Sequence, residues 1–325
     1  MLSRLVLTLC LITCMFATGQ QASPVSNESI FSYDKNLPLG LREAEAEKVP
    51  DATVHNISYP SPKGGLVTAY LVVPDGKGPF GAIEFVHWGQ GNRTEFLSEA
   101  LLYARAGVIS LLLDAPHARP DFHKSPSFID DPQRERDVFV QLVIDCRRGF
   151  DLLLSRPDVD PKKLLYVGHS LGATWGGTLA GVDKRPRAYL LMGGLPNVSD
   201  FSGDDSFSKE VRQQYSPDQI RKYAEVIGPL NPENFVSRAA PRRIYFQFAR
   251  WDRYITRASA TRYEAAASVP KFARTYNTSH EFNDLQSRCD RATWIASELS
   301  LTRNLTARAC GSLAGATPAL LTRPE

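Results

Sequence analysis

Residues 164–177 read Leu-Leu-Tyr-Val-Gly-His-Ser-Leu-Gly-Ala-Thr-Trp-Gly-Gly. The opening apolar run does not alternate, which predicts a strand covered on both faces. The small residues after Ser170 (Ala173, Gly176, Gly177) predict a helix that follows directly. Gly168-His-Ser-Leu-Gly172 lies between them, a G-x-S-x-G pentapeptide in the strand-to-helix context that a nucleophile elbow requires. Glycines on both sides of such a turn let neighbouring backbone approach without a Cβ clash. The Ser170 hydroxyl then stands at the positive end of a helix, where developing negative charge is favoured.

Working outward, strands and helices alternate. Val54–Tyr59 and Leu66–Val73 flank the turn residues Ser-Pro-Lys-Gly-Gly and predict a hairpin. Ala82–His87 is the next strand, followed by a helix over Thr94–Ala106 with Thr94 as its cap and Gly107 as its stop. Val108–Leu113 is a strand, 114–131 a loop and about 133–154 a long helix. After the elbow come strands at Ala188–Met192, Ile244–Ala249 and Phe272–Tyr276, with helices over Arg257–Ala267 and Asp284–Arg303. This alternation predicts an α/β fold: a mostly parallel, eight-stranded sheet with helices on both faces. Residues 195–240 interrupt it with two short helical pieces and predict a small cap insertion. Residues 20–53 read as a polar arm, 54–305 as the main domain, and 306–325 as a disordered tail.

The chain has 325 residues, 43% hydrophobic and 22% charged, which suits one sizeable globular core. A net charge of +3 with scattered basic residues argues against nucleic acid as a partner. Arg4, the apolar run Leu5–Phe16 and the small Ala17 and Gly19 read as a secretory signal peptide, residues 1–19, and so predict a secreted or periplasmic protein. A lipoprotein signal at Cys14 is a weaker alternative. No segment is long and apolar enough for an integral membrane span. Cys146, Cys289 and Cys310 remain after cleavage; Cys289–Cys310 is the expected disulfide and Cys146 a buried small hydrophobe. No cysteine spacing resembles a zinc site. Six N-x-S/T sequons occur, of which Asn92 and Asn277 fall near the expected site.

A serine is a poor nucleophile without a base, itself oriented by an acid. In a chain that starts from G-x-S-x-G these follow in the order acid, then histidine. His55, His87, His117, His123 and His169 all precede Ser170, so His280 is the base. Asp252, just past a strand end and 28 residues before His280, is the acid, with Asp200 in reserve. Glu281 and Asp284 lie too near His280 along the chain and suit the cap of the last helix. The oxyanion needs donors. The Leu171 N–H is one; the other comes from the loop His87-Trp-Gly-Gln-Gly91, where Trp88 is favoured over Gly89. Glu84 within the preceding strand demands a buried partner that the sequence does not name.

These motifs together, His87-Trp-Gly-Gln-Gly91, Leu111-Leu-Leu-Asp-Ala-Pro116, Gly168-His-Ser-Leu-Gly172, Trp251-Asp252 and Ser279-His280, resemble the α/β-hydrolase superfamily over about residues 54–305. The dienelactone-hydrolase-like and acetyl-esterase-like branch is similar. That resemblance implies Ser170 as nucleophile, Asp252 and His280 as its partners, and Leu171 with Trp88 as oxyanion donors. Dienelactone hydrolases carry cysteine where Ser170 stands, so serine implies ester substrates. Asp114 resembles a structural family position. The implied reaction is two-step acyl transfer on small-molecule esters, with no metal or organic cofactor. An exopeptidase or amidase, for which Asp204, Asp205 and Glu210 would bind an amino terminus, and a non-catalytic binding protein are the competing readings. Phe122, Phe128, Phe201, Phe207, Tyr215 and Tyr223 either line an acyl pocket or pack the cap.

Overall fold

The computed structural model describes residues 27–122, 128–301 and 310. The expected leader at 1–19, His123 and all of the expected tail at 306–325 except Cys310 lie outside these residues. One sheet organises the chain. Its strands are β1 (Arg42–Val49), β2 (Ala52–Pro60), β3 (Leu66–Pro74), β4 (Phe80–Val86), β5 (Val108–Leu113), β6 (Val159–His169), β7 (Ala188–Met192), β8 (Arg243–Trp251) and β9 (Lys271–Ser279). They lie in the order β1-β2-β3-β5-β4-β6-β7-β8-β9. From β5 to β9 every neighbouring pair is parallel, while β1, β2 and β3 are joined by antiparallel ladders.

The sheet therefore has nine strands rather than the expected eight, because part of the predicted arm is β1. Its sequence, Arg-Glu-Ala-Glu-Ala-Glu-Lys-Val, is solvent-facing at every position but the last, so it carries no apolar pattern to read. Backbone pairing to β2 holds it, and its charges protect the free edge from further strand addition. The arm is also anchored inside the protein: Phe31 is fully buried, edge-on to Phe235.

Both faces of the sheet are covered. Helices α2 (Pro132–Ser155), α3 (Leu171–Val182) and α6 (Arg257–Ala266) share one apolar cluster with the cap; α1 (Leu97–Ala104) and α7 (Leu285–Leu299) share the other. All residues of β5 and of β7 are buried, which is why those strands lack polar alternation. The cap insertion between β7 and β8 holds α4 (Ser206–Gln214) and α5 (Pro217–Ile227), then three short 3-10 turns. The start of α1 differs from the prediction. Phe96 takes the cap position, while the Thr94 N–H and hydroxyl both bond Asn92 Oδ1 in the preceding turn.

Cys289 and Cys310 are bonded as expected, and Cys146 is buried. Glu84, on the central strand β4, is fully buried, with the Cys146 thiol of α2 as its neighbour in hydrogen-bonding reach. It occupies the space left by Gly149 of α2, where a Cβ would lie 2.1 Å from its Oε2. Burial pushes its carboxyl pKa well above the usual range, which favours the neutral acid. No helix among the described residues is long and apolar enough to cross a membrane.

Candidate active site

The strand-to-helix turn between β6 and α3 is held open by absent side chains. A Cβ on Gly172 would stand 2.2 Å from the Val86 carbonyl oxygen, and one on Gly168 2.4 Å from the Gly172 backbone. Ser170 between them adopts φ +50°, in the left-handed region that few side chains enter. Two backbone bonds keep it there: its N–H to the Met192 carbonyl at 2.7 Å, and its carbonyl to the Thr174 N–H at 2.8 Å. Leu171 begins α3, so its N–H is one that the helix itself leaves unused.

His280 follows β9 in a turn and points at the elbow. Its Nε2 lies 2.8 Å from Ser170 Oγ, and its Nδ1 lies 2.8 Å from Asp252 Oδ2. Asp252 follows the end of β8. Its Oδ1 accepts the N–H groups of Tyr254 and Ile255, each at 2.9 Å. The side chains of Asp252 and His280 are 0% and 1% exposed. A carboxylate at Nδ1 keeps the proton on that nitrogen and turns the Nε2 lone pair toward the serine hydroxyl. The structure thus brings together Ser170, Asp252 and His280, which are 82, 28 and 110 residues apart along the chain taken as Ser170–Asp252, Asp252–His280 and Ser170–His280.

The loop after β4 is built by His87. Its Nδ1–H donates to the Trp88 carbonyl at 2.6 Å and its Nε2 accepts the Ala115 N–H at 3.0 Å. Burial lowers its pKa, in keeping with a neutral ring that accepts at one nitrogen. The Gly91 N–H closes the turn on the Trp88 carbonyl. Asp114 pins the far end by accepting from the Arg93 N–H at 2.8 Å and the Thr68 hydroxyl at 2.5 Å, a structural use.

The favoured second donor needs correction. The Trp88 N–H is committed to Glu95 Oε2 at 2.8 Å, which removes it from an oxyanion site. Gly89 is the next N–H of the same loop, and a Cβ built there would meet nothing within 4 Å. It faces open space. Sequence reasoning also missed Glu95 and His169, which meet at 2.5 Å. Position x of G-x-S-x-G carries no constraint of its own, and Glu95 looks like any acid near a helix start.

The reserve residues are engaged elsewhere. Asp200 pairs with Arg262 at 2.8 Å and accepts from Ser202. Glu281 accepts from Ser279, and Asp284 caps α7 as expected. Asp205 caps α4. Of the aromatics of the cap and of the loop before α2, Phe128, Phe201, Phe207 and Tyr223 pack on one another. Phe207 also meets Tyr254, whose ring stands against His280. Phe122 lies instead under Arg134.

No family model matches the chain. A polyketide transferase of Stachybotrys chlorohalonatus is 32% identical over 100 residues, which spans 30% of this chain and 30% of the relative. Solved structures align over most of the length. An acetyl xylan esterase of a Paenibacillus species is 20% identical over 80% of this chain and 89% of its own, with a TM-score of 0.64. Acetyl xylan esterase 1 of a Thermoanaerobacterium species is 14% identical over 84% and 92%, with a TM-score of 0.70. A glucuronoyl esterase of Solibacter usitatus is 13% identical over 87% and 91%, with a TM-score of 0.56. The chain has the α/β-hydrolase fold.

Proposed function

We propose that the protein is a serine hydrolase that cleaves carboxylic esters of small molecules. The carrying observation is the unbroken relay from Asp252 through His280 to Ser170, with both links at 2.8 Å. In this reading His280 removes the Ser170 proton as the hydroxyl attacks the ester carbonyl. Charge that develops on the carbonyl oxygen is met by the N–H groups of Leu171 and Gly89. Protonated His280 then hands its proton to the departing alcohol, leaving an acyl group on Ser170. Water, deprotonated by His280, attacks that acyl group and releases the acid. Asp252 stays ionised and stabilises the imidazolium in both halves. The reaction requires no metal and no organic cofactor.

Three esterases with this fold support an ester substrate. A second reading keeps the acyl-enzyme and changes only its fate: the polyketide transferase likeness favours an acceptor other than water in the second step. An exopeptidase loses one of the three acids that would bind an amino terminus, because Asp205 caps α4. The Cys289–Cys310 disulfide suits the oxidising compartment that a secreted protein meets.

The test is turnover of nitrophenyl esters from acetyl to dodecanoyl by the protein and by Ser170→Ala, with fluorophosphonate labelling of Ser170. Loss of hydrolysis and of labelling in the variant is expected. An unmutated protein that neither hydrolyses nor labels would refute the esterase reading. Faster turnover on adding an alcohol or thiol acceptor would favour transfer.

A further inference from the structure

One carboxylate and one imidazole join three loops of the site. Glu95 Oε2 accepts the Trp88 N–H at 2.8 Å, and Oε1 meets His169 Nδ1 at 2.5 Å. His169 Nε2 reaches the carbonyl of His280 at 2.8 Å. The His169 side chain is 4% exposed and the Glu95 side chain 20%. The ring lies nearly parallel to Trp88, with centroids 6.3 Å apart, and edge-on to Phe282 at 5.7 Å. Its two neighbours are thus a carboxylate oxygen and a carbonyl oxygen, both acceptors. His169 Nε2–H therefore donates to the His280 carbonyl, and one proton is shared between Nδ1 and Glu95 Oε1.

We propose that the His169–Glu95 pair is a positioning device for catalysis, resting on the esterase reading above. It acts at both ends. Glu95 clamps the Trp88 peptide N–H, which leaves the next N–H, that of Gly89, as the one presented to the oxyanion. His169 holds the His280 carbonyl, which fixes the backbone that carries the base. Neither side chain touches substrate. A hole donor or base displaced by about 1 Å costs on the order of 100-fold in rate, so loosening the clamp lowers kcat more than it raises KM.

The experiment compares the unmutated protein with Glu95→Ala, Glu95→Gln and His169→Phe, using nitrophenyl acetate and counting active sites by fluorophosphonate labelling. Glu95→Ala and His169→Phe are expected to lower kcat per labelled site roughly 100-fold with KM within about twofold. Glu95→Gln, which keeps an acceptor for the Trp88 N–H, recovers at least about tenfold of that loss. Variants whose kcat per labelled site stays within about twofold of the unmutated protein would overturn the proposal. A second measurement reads the unmutated chain itself: 15N-histidine spectra, with His169→Gln used only to assign the His169 signals. A proton on Nε2 and a hydrogen-bonded Nδ1 are expected; a bare Nε2, or an Nδ1 with no hydrogen bond, breaks a tie and overturns the proposal. The labelling step separates the two claims. Absence of labelling in the unmutated protein sinks the esterase reading and this role with it, whereas labelling with unaltered turnover in the variants sinks the positioning role alone.

Discussion

The ring of Tyr254 stands edge-to-face on the imidazole of His280, with centroids 4.9 Å apart and planes at 71°. Tyr254 is half-buried, its backbone N–H is bound to Asp252, and the ring of Phe207 from the cap lies 6.4 Å from its own, nearly perpendicular to it. A chain of aromatic contacts therefore runs from His280 into the cap. Removing one such ring changes discrimination between acyl groups by about 10- to 100-fold. Tyr254→Ala is expected to lower kcat/KM for the acetyl ester about tenfold and to move the optimum to longer chains. Phe207→Ala should move the optimum while leaving acetyl turnover nearly unchanged. Identical chain-length profiles in all three proteins would show that the acyl group does not run along these rings.

Asp252→Asn tests the relay with little change of volume. The asparagine oxygen can still accept the Tyr254 and Ile255 N–H groups, but its amide presents protons to His280 Nδ1. The imidazole must then carry its proton on Nε2, the wrong side for accepting from Ser170. A fall in kcat of ~10^4 is expected, as for loss of tautomer control in such a triad. Esterase kinetics beside thermal unfolding provide the check. A drop below tenfold would remove Asp252 from the relay.

Two glycines make opposite predictions. At Gly172 a Cβ would sit 2.2 Å from the Val86 carbonyl oxygen, and backbone has nowhere to yield without moving β4 from the elbow. Gly172→Ala is expected to cost at least the ~1–3 kcal/mol typical of overpacking, seen as a lowered Tm together with lost labelling of Ser170. Gly89→Ala places its methyl in open space and should leave Tm within about 1 °C, since surface changes of this kind stay within roughly 0.5 kcal/mol. Equal stability of the two variants would contradict the elbow packing described.

Glu135, in the first turn of α2, is pushed up to about 7 from 4.5, chiefly by burial, with Arg134 pulling it down and Asp131 raising it further. Its native form then binds more protons than its unfolded form between those two values. Stability from this group accordingly falls as pH rises through that window, and is fully present below it. Glu135→Gln should remove that slope and stabilise the protein at pH 8 by about 3 kcal/mol at most. Denaturant unfolding of both proteins from pH 4 to 8 would reveal it; parallel curves would show that Glu135 is solvated in the native state.

Much of the architecture is legible because it is local. Leu164–Gly172 announces strand, turn and helix through contiguous residue types, and the unalternating runs of β5 and β7 report burial on both faces. His280 could be picked out by order alone, since every other histidine precedes Ser170. β1 was illegible for the same physical reason: an edge strand held by main-chain bonds, with its side chains in water, leaves no apolar pattern.

The proposed second oxyanion donor lies beyond what local sequence specifies. Trp88 and Gly89 are adjacent and equally plausible along the chain, and only Glu95 separates them by taking one N–H. Glu95 is in turn held by His169, 74 residues away, whose other nitrogen reaches a carbonyl 111 residues beyond. Glu84 is a further case, its buried carboxyl resting in a space that Gly149 provides from α2. Periodicity and spacing specify which residues form each element and which face is buried. Which polar group meets which depends on side-chain directions that exist only once the sheet has closed around them.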